Sequence, residues 1–435
     1  MSPELSNHLK STSPSSIRLA QIEFSKRKDN VKAINVAIWN VSLPMHPAMQ
    51  KRMFSLVSEN SPFKDWIVKY TASVWESETQ DAFFNILKSS GIDTSSLFCH
   101  IVDWWSMAME LVVIWICWEA GIDERPLLVI DAAYTNYASF AQRTGRKIVS
   151  VKRKLDVEWN YSFPSEEEIN EAIREHDPAW LVIIPYDNPT GHLYKKSDII
   201  NLSRICVENN MWIISDEAYR ELHYDGSESV SIWKLSDEDV SWIEWRRISI
   251  ETSSKVWNAC WLRIWAIITD NKQFHEQVVA EYTANLCANS IWQYIFGSLA
   301  HEKTEDLQNW YKQQKSYYSW IMNAFYEDLK KELPWIIISK PQAALYSVLD
   351  FKNITKAWFD SKDFVLFSAQ KWSVELWGTS YTLLIAPMDW FYNVKPWEPN
   401  PGKTQARVAF VETRENFKLI PNILKRLIED FEKQI

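Results

Sequence analysis

The chain has 8 glycines in 435 residues, where a share of about 7% is usual. Glycine turns a backbone through positive φ and lets it approach a ligand closely, so a chain this poor in it has few places for tight turns. Tryptophan shows the opposite excess, with 25 residues. Together the two come close to the roughly 30 glycines a chain of this length carries. The counts point to an exchange of one residue for the other.

Short aliphatic and β-branched runs alternate with longer amphipathic stretches, the pattern of an α/β protein on a mainly parallel sheet. Strands are predicted at Leu127–Ile130, Lys147–Val151, Leu181–Ile184, Trp212–Ser215, Arg247–Glu251 and Ala266–Thr269. A helix is predicted to start at Ser165, which stands in capping-box spacing with Glu168 after Pro164. Another is predicted over Ser197–Asn209, and residues 298–332 read as one long helical stretch of the kind that links two domains. After Pro334, short strands and helices return at Ala344–Phe351, Lys362–Lys371, Tyr381–Ile385 and Ala406–Val411, predicting a second, smaller domain. Phe417–Ile435 reads as an amphipathic helix.

Several classes of function are excluded. A net charge of −9 offers no basic face for nucleic acid. The longest apolar run, Leu111–Trp118, is too short to span a bilayer. Residues 1–16 are polar and Ser/Pro-rich, without the apolar core of a signal peptide, and are expected to form a mobile tail. Five scattered cysteines with no C-x-x-C pair and eight dispersed histidines predict neither a disulfide framework nor a metal site. The run Glu166-Glu167-Glu168 fits the first turn of a helix rather than a catalytic acid pair. No dinucleotide fingerprint, P-loop or G-x-S-x-G elbow is present. A cytoplasmic protein is expected.

Four segments carry chemistry: Asp187-Asn188-Pro189-Thr190-Gly191, Ser215-Asp216-Glu217-Ala218-Tyr219, Thr252-Ser253-Ser254-Lys255 with Arg263 beyond it, and Ala406-Arg407-Val408. Each lies in a loop or at a strand end, where open parallel sheets bind ligands. In this order and spacing the set resembles the fold-type-I pyridoxal-phosphate enzymes, specifically the class I/II aminotransferases, from about Ile34 to Val411. The resemblance implies a large cofactor domain with a mainly parallel seven-stranded sheet, over 62–325. It implies a smaller α+β domain drawn from both chain ends, 17–61 and 326–435, in the aspartate-aminotransferase manner.

The resemblance also assigns roles. Lys255 forms a Schiff base with the aldehyde of pyridoxal 5'-phosphate and then moves the substrate's Cα proton. Asp216 pairs with the pyridine nitrogen and keeps the ring an electron sink. Asn188 and Tyr219 hydrogen-bond the cofactor's phenolic oxygen. Thr252, Ser254 and Arg263 hold its phosphate, and Tyr134 stacks on its ring. Arg407 grips the substrate carboxylate in a bidentate fork. Tyr70 resembles a tyrosine that reaches the phosphate from a neighbouring subunit, which implies a homodimer with shared sites. The substrates implied are an L-amino acid and a 2-oxo acid. Plainer readings stay open: an N-cap for Asp216, a simple turn for Asn188–Gly191, and a surface arginine for Arg407. Other outcomes on the same fold are a carbon–sulfur β-lyase, a decarboxylase, or a non-catalytic pseudoenzyme.

The phosphate cup departs from the family. It falls on Asp103-Trp104-Trp105-Ser106-Met107-Ala108, with Trp104-Trp105 where the family has Gly-Gly. Trp39 (near the substrate carboxylate), Trp75, Trp261 and Trp265 also stand at family glycines. Trp180, Trp242, Trp245, Trp292, Trp335, Trp390 and Trp397 look like glycine sites too, whereas Trp212, Trp257 and Trp310 sit comfortably as aromatics. A bulky residue at a glycine site costs about 1–3 kcal/mol in backbone strain. Ten or more such sites would exceed the roughly 5–15 kcal/mol that keeps a domain folded. Some bacterial lineages read the codon UGA as glycine, and the pattern is what results when that codon is read as tryptophan. A tryptophan-rich pseudoenzyme that has lost the cup is the rival reading.

Overall fold

The computed structural model describes residues 6, 10, 14–38, 40, 42–71, 77–117, 121, 123–156, 158, 160–395 and 397–433. The tail expected over 1–16 falls mostly outside them, as do Trp39 and Trp75. The chain divides into two compact units, one made of Met1–Trp39, Ile321–Ile338 and Ser347–Ile435, the other of Asn40–Trp320 and Ser339–Tyr346.

The larger unit is built on a seven-stranded sheet. Its strands are β2 (Phe98–Val102), β3 (Leu127–Asp131), β4 (Ile148–Lys152), β5 (Trp180–Ile183), β6 (Trp212–Asp216), β7 (Arg247–Thr252) and β8 (Trp265–Thr269), in the order β2-β8-β7-β6-β5-β3-β4. Only β8 runs against its neighbours. β3, β5, β7 and β8 are buried along their whole length, as sheets covered on both faces require. Six of the seven strands are those predicted. β2 was not, because His100 interrupts its apolar run, although the ring is buried there edge-on against Tyr282.

The predicted caps hold. Ser165 Oγ accepts from the Glu168 N–H at 3.2 Å and a Glu168 carboxylate oxygen accepts from the Ser165 N–H at 2.7 Å, starting the helix Glu166–His176. Gly191 is one of six glycines at positive φ, and the backbone packs closely on it. Its φ is +71°, and a Cβ there would run into the Tyr346 carbonyl.

The long helical stretch predicted over 298–332 is two elements. A short 3-10 turn, Ser298–His301, is separated by an extended Glu302 from the helix Thr304–Glu332. On that helix Lys315 faces Glu221, whose φ is +68°. The Lys315 ammonium stands 3.5 Å from the Glu221 carboxylate and the His223 ring nitrogen 3.8 Å from it. Burial alone would raise the Glu221 carboxyl, but the neighbouring His223 ring and the charge of Lys315 outweigh it and hold it at about 2. A carboxyl lowered on folding adds stability above its ordinary pKa and loses it as pH falls toward the folded value. Relative to Glu221→Gln, the parent chain should therefore lose about 2 kcal/mol between pH 7 and pH 3. Urea unfolding at both values measures it, and a constant difference would disprove the coupling.

The smaller unit contains β1 (Lys32–Asn35), β11 (Val374–Leu376) and β12 (Thr379–Leu384) in the order β1-β12-β11, with Lys32 opposite Tyr381 and Asn35 opposite Leu384. A second sheet orders β13 (Ala386–Pro387), β14 (Gln405–Ala409), β10 (Tyr346–Asp350) and β9 (Ile337–Ile338). The last helix, Arg414–Glu432, starts three residues earlier than predicted because Thr413 caps it through the Asn416 N–H. Its Phe431 packs against Phe359, Phe364 and Phe367.

Candidate active site

The sheet carries the predicted residues to one edge. β5, β6 and β7 are parallel neighbours, with Ile183 opposite Ser215 and Asp216 opposite Ile250, so the segments after them leave side by side. They hold Asn188 after β5, Asp216 and Tyr219 at the end of β6, and Thr252, Ser254 and Lys255 at the end of β7. β8 runs against β7 with Thr252 opposite Trp265, which brings Arg263 to the same edge. β2 runs against β8 with Val102 opposite Trp265, so the helix Trp105–Ile116 also begins there. Ser106 and Met107 stand in its first turn, where orphan N–H groups suit an anion.

Asp216 is buried at the centre of this edge. Its Oδ2 accepts from the Tyr137 hydroxyl at 2.9 Å and from the Trp105 indole N–H at 2.9 Å, and its Oδ1 accepts from the Ala218 N–H at 3.2 Å. Burial outweighs these bonds and pushes the carboxyl up to about 6. The Trp105 ring is only 6% exposed and lies 5.2 Å from Tyr134 and 5.4 Å from Phe140, edge-on to both. Asn188 is buried beside Asp187, whose Oδ1 accepts from the Thr190 N–H and hydroxyl. The Tyr219 hydroxyl shares a 2.8 Å hydrogen bond with that of Tyr346. Lys255 is half-buried after Ser254.

The residues expected at the phosphate lie at and after the end of β7 and just before β8. The Ser254 N–H donates to Thr252 Oγ1 at 2.9 Å, and the buried Ser254 hydroxyl has no partner among the described residues. Arg263, at φ +57°, donates to the Cys260 carbonyl at 2.6 Å, while its buried Nε has no partner there. Its guanidinium lies 4.6 Å from the centre of the Trp104 ring.

Tyr70 and Arg407 are carried by other segments of the chain. Tyr70 is 80% exposed, in an irregular segment. Arg407 is buried in β14 of the smaller unit, donates to the Ala37 carbonyl at 2.8 Å and lies over the Phe391 ring. Trp39 lies outside the described residues.

Sequence reasoning missed the ions that pin the strand ends. Arg220 forms a two-pronged pair with Glu251, at 2.5 and 3.1 Å, and stands 3.4 Å from Glu217, all three buried. Burial raises the Glu217 carboxyl even with Arg220 beside it. Arg153 pairs with Asp187 at 2.7 Å, also fully buried. The signal was a charged residue next to each motif: Glu217 after Asp216, Arg220 after Tyr219, Glu251 before Thr252.

The family model for aminotransferase class I and II matches residues 116–374, more than half of the chain. The chain belongs to this family. It is 34% identical over 117 residues to an aspartate aminotransferase of Bacillus subtilis, covering 27% of this chain and 29% of that protein. It is 23% identical over 241 residues to a probable aspartate/prephenate aminotransferase of Aquifex aeolicus, covering 55% and 58%. The chain thus spans less than two thirds of the length of either curated relative. A solved aspartate aminotransferase of Thermus thermophilus, a double mutant, shares the fold with a TM-score of 0.78 at 16% identity, over 98% of this chain and all of that one. The fold class predicted from the sequence is therefore that of this aminotransferase: an α/β protein on a mainly parallel seven-stranded sheet. Among the described residues no helix is long and apolar enough to cross a membrane.

Proposed function

We propose that this chain catalyses pyridoxal-phosphate-dependent transfer of an amino group between an L-amino acid and a 2-oxo acid. The observation that carries the reading is the convergence of Asn188, Asp216, Tyr219, Ser254, Lys255 and Arg263 on one sheet edge of a class I and II aminotransferase chain. When bound, the cofactor supplies the electron sink for the substrate's Cα carbanion. Lys255 is the base for the Cα proton, and Asp216 is a carboxylate buried to receive an aromatic N–H. Arg407 takes the substrate carboxylate. Tyr70, exposed on one chain, is the residue we assign to a neighbour's site in a homodimer, and we assign the enzyme to the cytoplasm.

The residues fit the group at one end and not at the other. The unpartnered Ser254 hydroxyl and Arg263 Nε suit a phosphate. The indole N–H of Trp105 already occupies the Asp216 carboxylate and the Trp104 ring lies over the Arg263 guanidinium, so the ring end does not fit while both are there. The test is a chain with glycine at 104 and 105, given pyridoxal phosphate, a panel of L-amino acids and 2-oxo acids. Labelled nitrogen should appear on the 2-oxo acid. Release of ammonia without transfer would replace the reading by elimination, and no turnover with any donor would remove it.

A further inference from the structure

We infer that the polypeptide made in the source cell carries glycine at 104 and 105, and also at 66, 242, 245 and 377. Two independent observations carry it, one for each set of positions. The first is backbone strain. Trp66, Trp242, Trp245 and Trp377 all have φ between +49° and +65°, the left-handed region that only glycine enters without cost. Asn and Asp enter it by bonding their own backbone, which an indole cannot do. All four rings are exposed, with nothing packed around them to offset the strain. Trp66 and Trp377 were not among the glycine sites read from the sequence; their backbones alone single them out.

The second observation is the filled site, and this part rests on the function proposed above. Trp105 donates an aromatic N–H to Asp216, the bond expected of a protonated pyridine ring, and Trp104 covers the arginine meant for the phosphate. The unpartnered hydroxyl and guanidinium nitrogen among the described residues suit a phosphate, while the buried Trp105 indole occupies the acceptor on Asp216 that the ring would use and the half-exposed Trp104 ring lies over Arg263.

Other tryptophans behave as tryptophan. Trp310 donates its indole N–H to the Val256 carbonyl at 2.8 Å and stacks parallel to Trp257, and Trp212 packs on Phe274. Trp180, read above as a glycine site, is fully buried in β5 with its N–H on Cys117 Sγ at 2.9 Å, so its surroundings give no reason to exchange it. Trp265 differs again: it is buried in β8 with its indole N–H unpartnered among the described residues, which costs about 1–3 kcal/mol.

Peptide masses of the protein isolated from its source cell test the inference. The tryptic peptide Leu235–Arg246 carries Trp242 and Trp245, and a fragment spanning 104 and 105 carries the cup. Each should be lighter by two exchanges of an indolylmethyl group for hydrogen. The gene should have UGA at 66, 104, 105, 242, 245 and 377, and UGG at 212, 257 and 310. Tryptophan masses at 104 and 105, or UGG at the six positions, would overturn the inference. A separate measurement keeps the function reading distinct: the visible absorbance of pyridoxal phosphate bound to Trp104→Gly/Trp105→Gly. Glycine masses with no cofactor bound would leave the inference standing and remove the function. Cofactor bound equally by the chain with both tryptophans would overturn the argument from the filled site.

Discussion

Lys255→Ala, in a chain with glycine at 104 and 105, is expected to lower amino-group transfer by about 10⁴-fold or more. The residue stands just after the end of β7, on the edge that also bears Asp216, and it is the one lysine within Asp187–Gly191, Ser215–Tyr219 and Thr252–Lys255. Loss of both covalent attachment and the proton carrier should fall on kcat, because the residues proposed for the substrate carboxylate and the phosphate are left in place. The thermal midpoint should hardly move, since a half-buried lysine at a loop adds little to stability. Borohydride treatment should fix the cofactor to the parent and not to the variant. An alanine variant within tenfold of the parent would move the chemistry to another residue.

Arg220→Met is expected to destabilise the chain by about 3–5 kcal/mol, the usual loss when one partner of a buried ion pair is removed. Glu217 and Glu251 would then face each other in a buried site with no cation between them. The pH dependence has a definite sign. A carboxyl raised on folding, as Glu217 is, keeps its stability contribution at low pH and loses it as pH rises through the folded value. The deficit of the variant should therefore be smaller at pH 5 than at pH 8. Urea midpoints at both values measure this, and a deficit under about 0.5 kcal/mol would mean the three charges do not hold the strand ends.

The sequence made the parallel strands legible because they are short apolar runs set off by proline or polar residues, as β3 and β5 are by Pro126, Pro178 and Pro185. It hid β2 behind His100, whose burial depends on Tyr282, far along the chain. It also hid the break at Glu302, since the residues on both sides of it suit a helix. The site motifs were legible as residue types in order, and the ions behind them were not. Arg220 meets Glu251 across 31 residues and Asp187 meets Arg153 across 34, pairings that register alone produces. The glycine exchange was visible in the counts, but the left-handed turns at Trp66 and Trp377 needed the backbone.

The bond between Trp105 and Asp216 has a consequence for any host that inserts tryptophan at UGA. Such a chain does not merely lack its cofactor: it carries a tethered competitor whose donor is already docked on the acceptor. Tethering gives that donor an effective concentration of order millimolar or above, and it cannot be dialysed away. Flooding the protein with pyridoxal phosphate should then fail to restore binding, and the product would pass for an inactive relative on any activity screen.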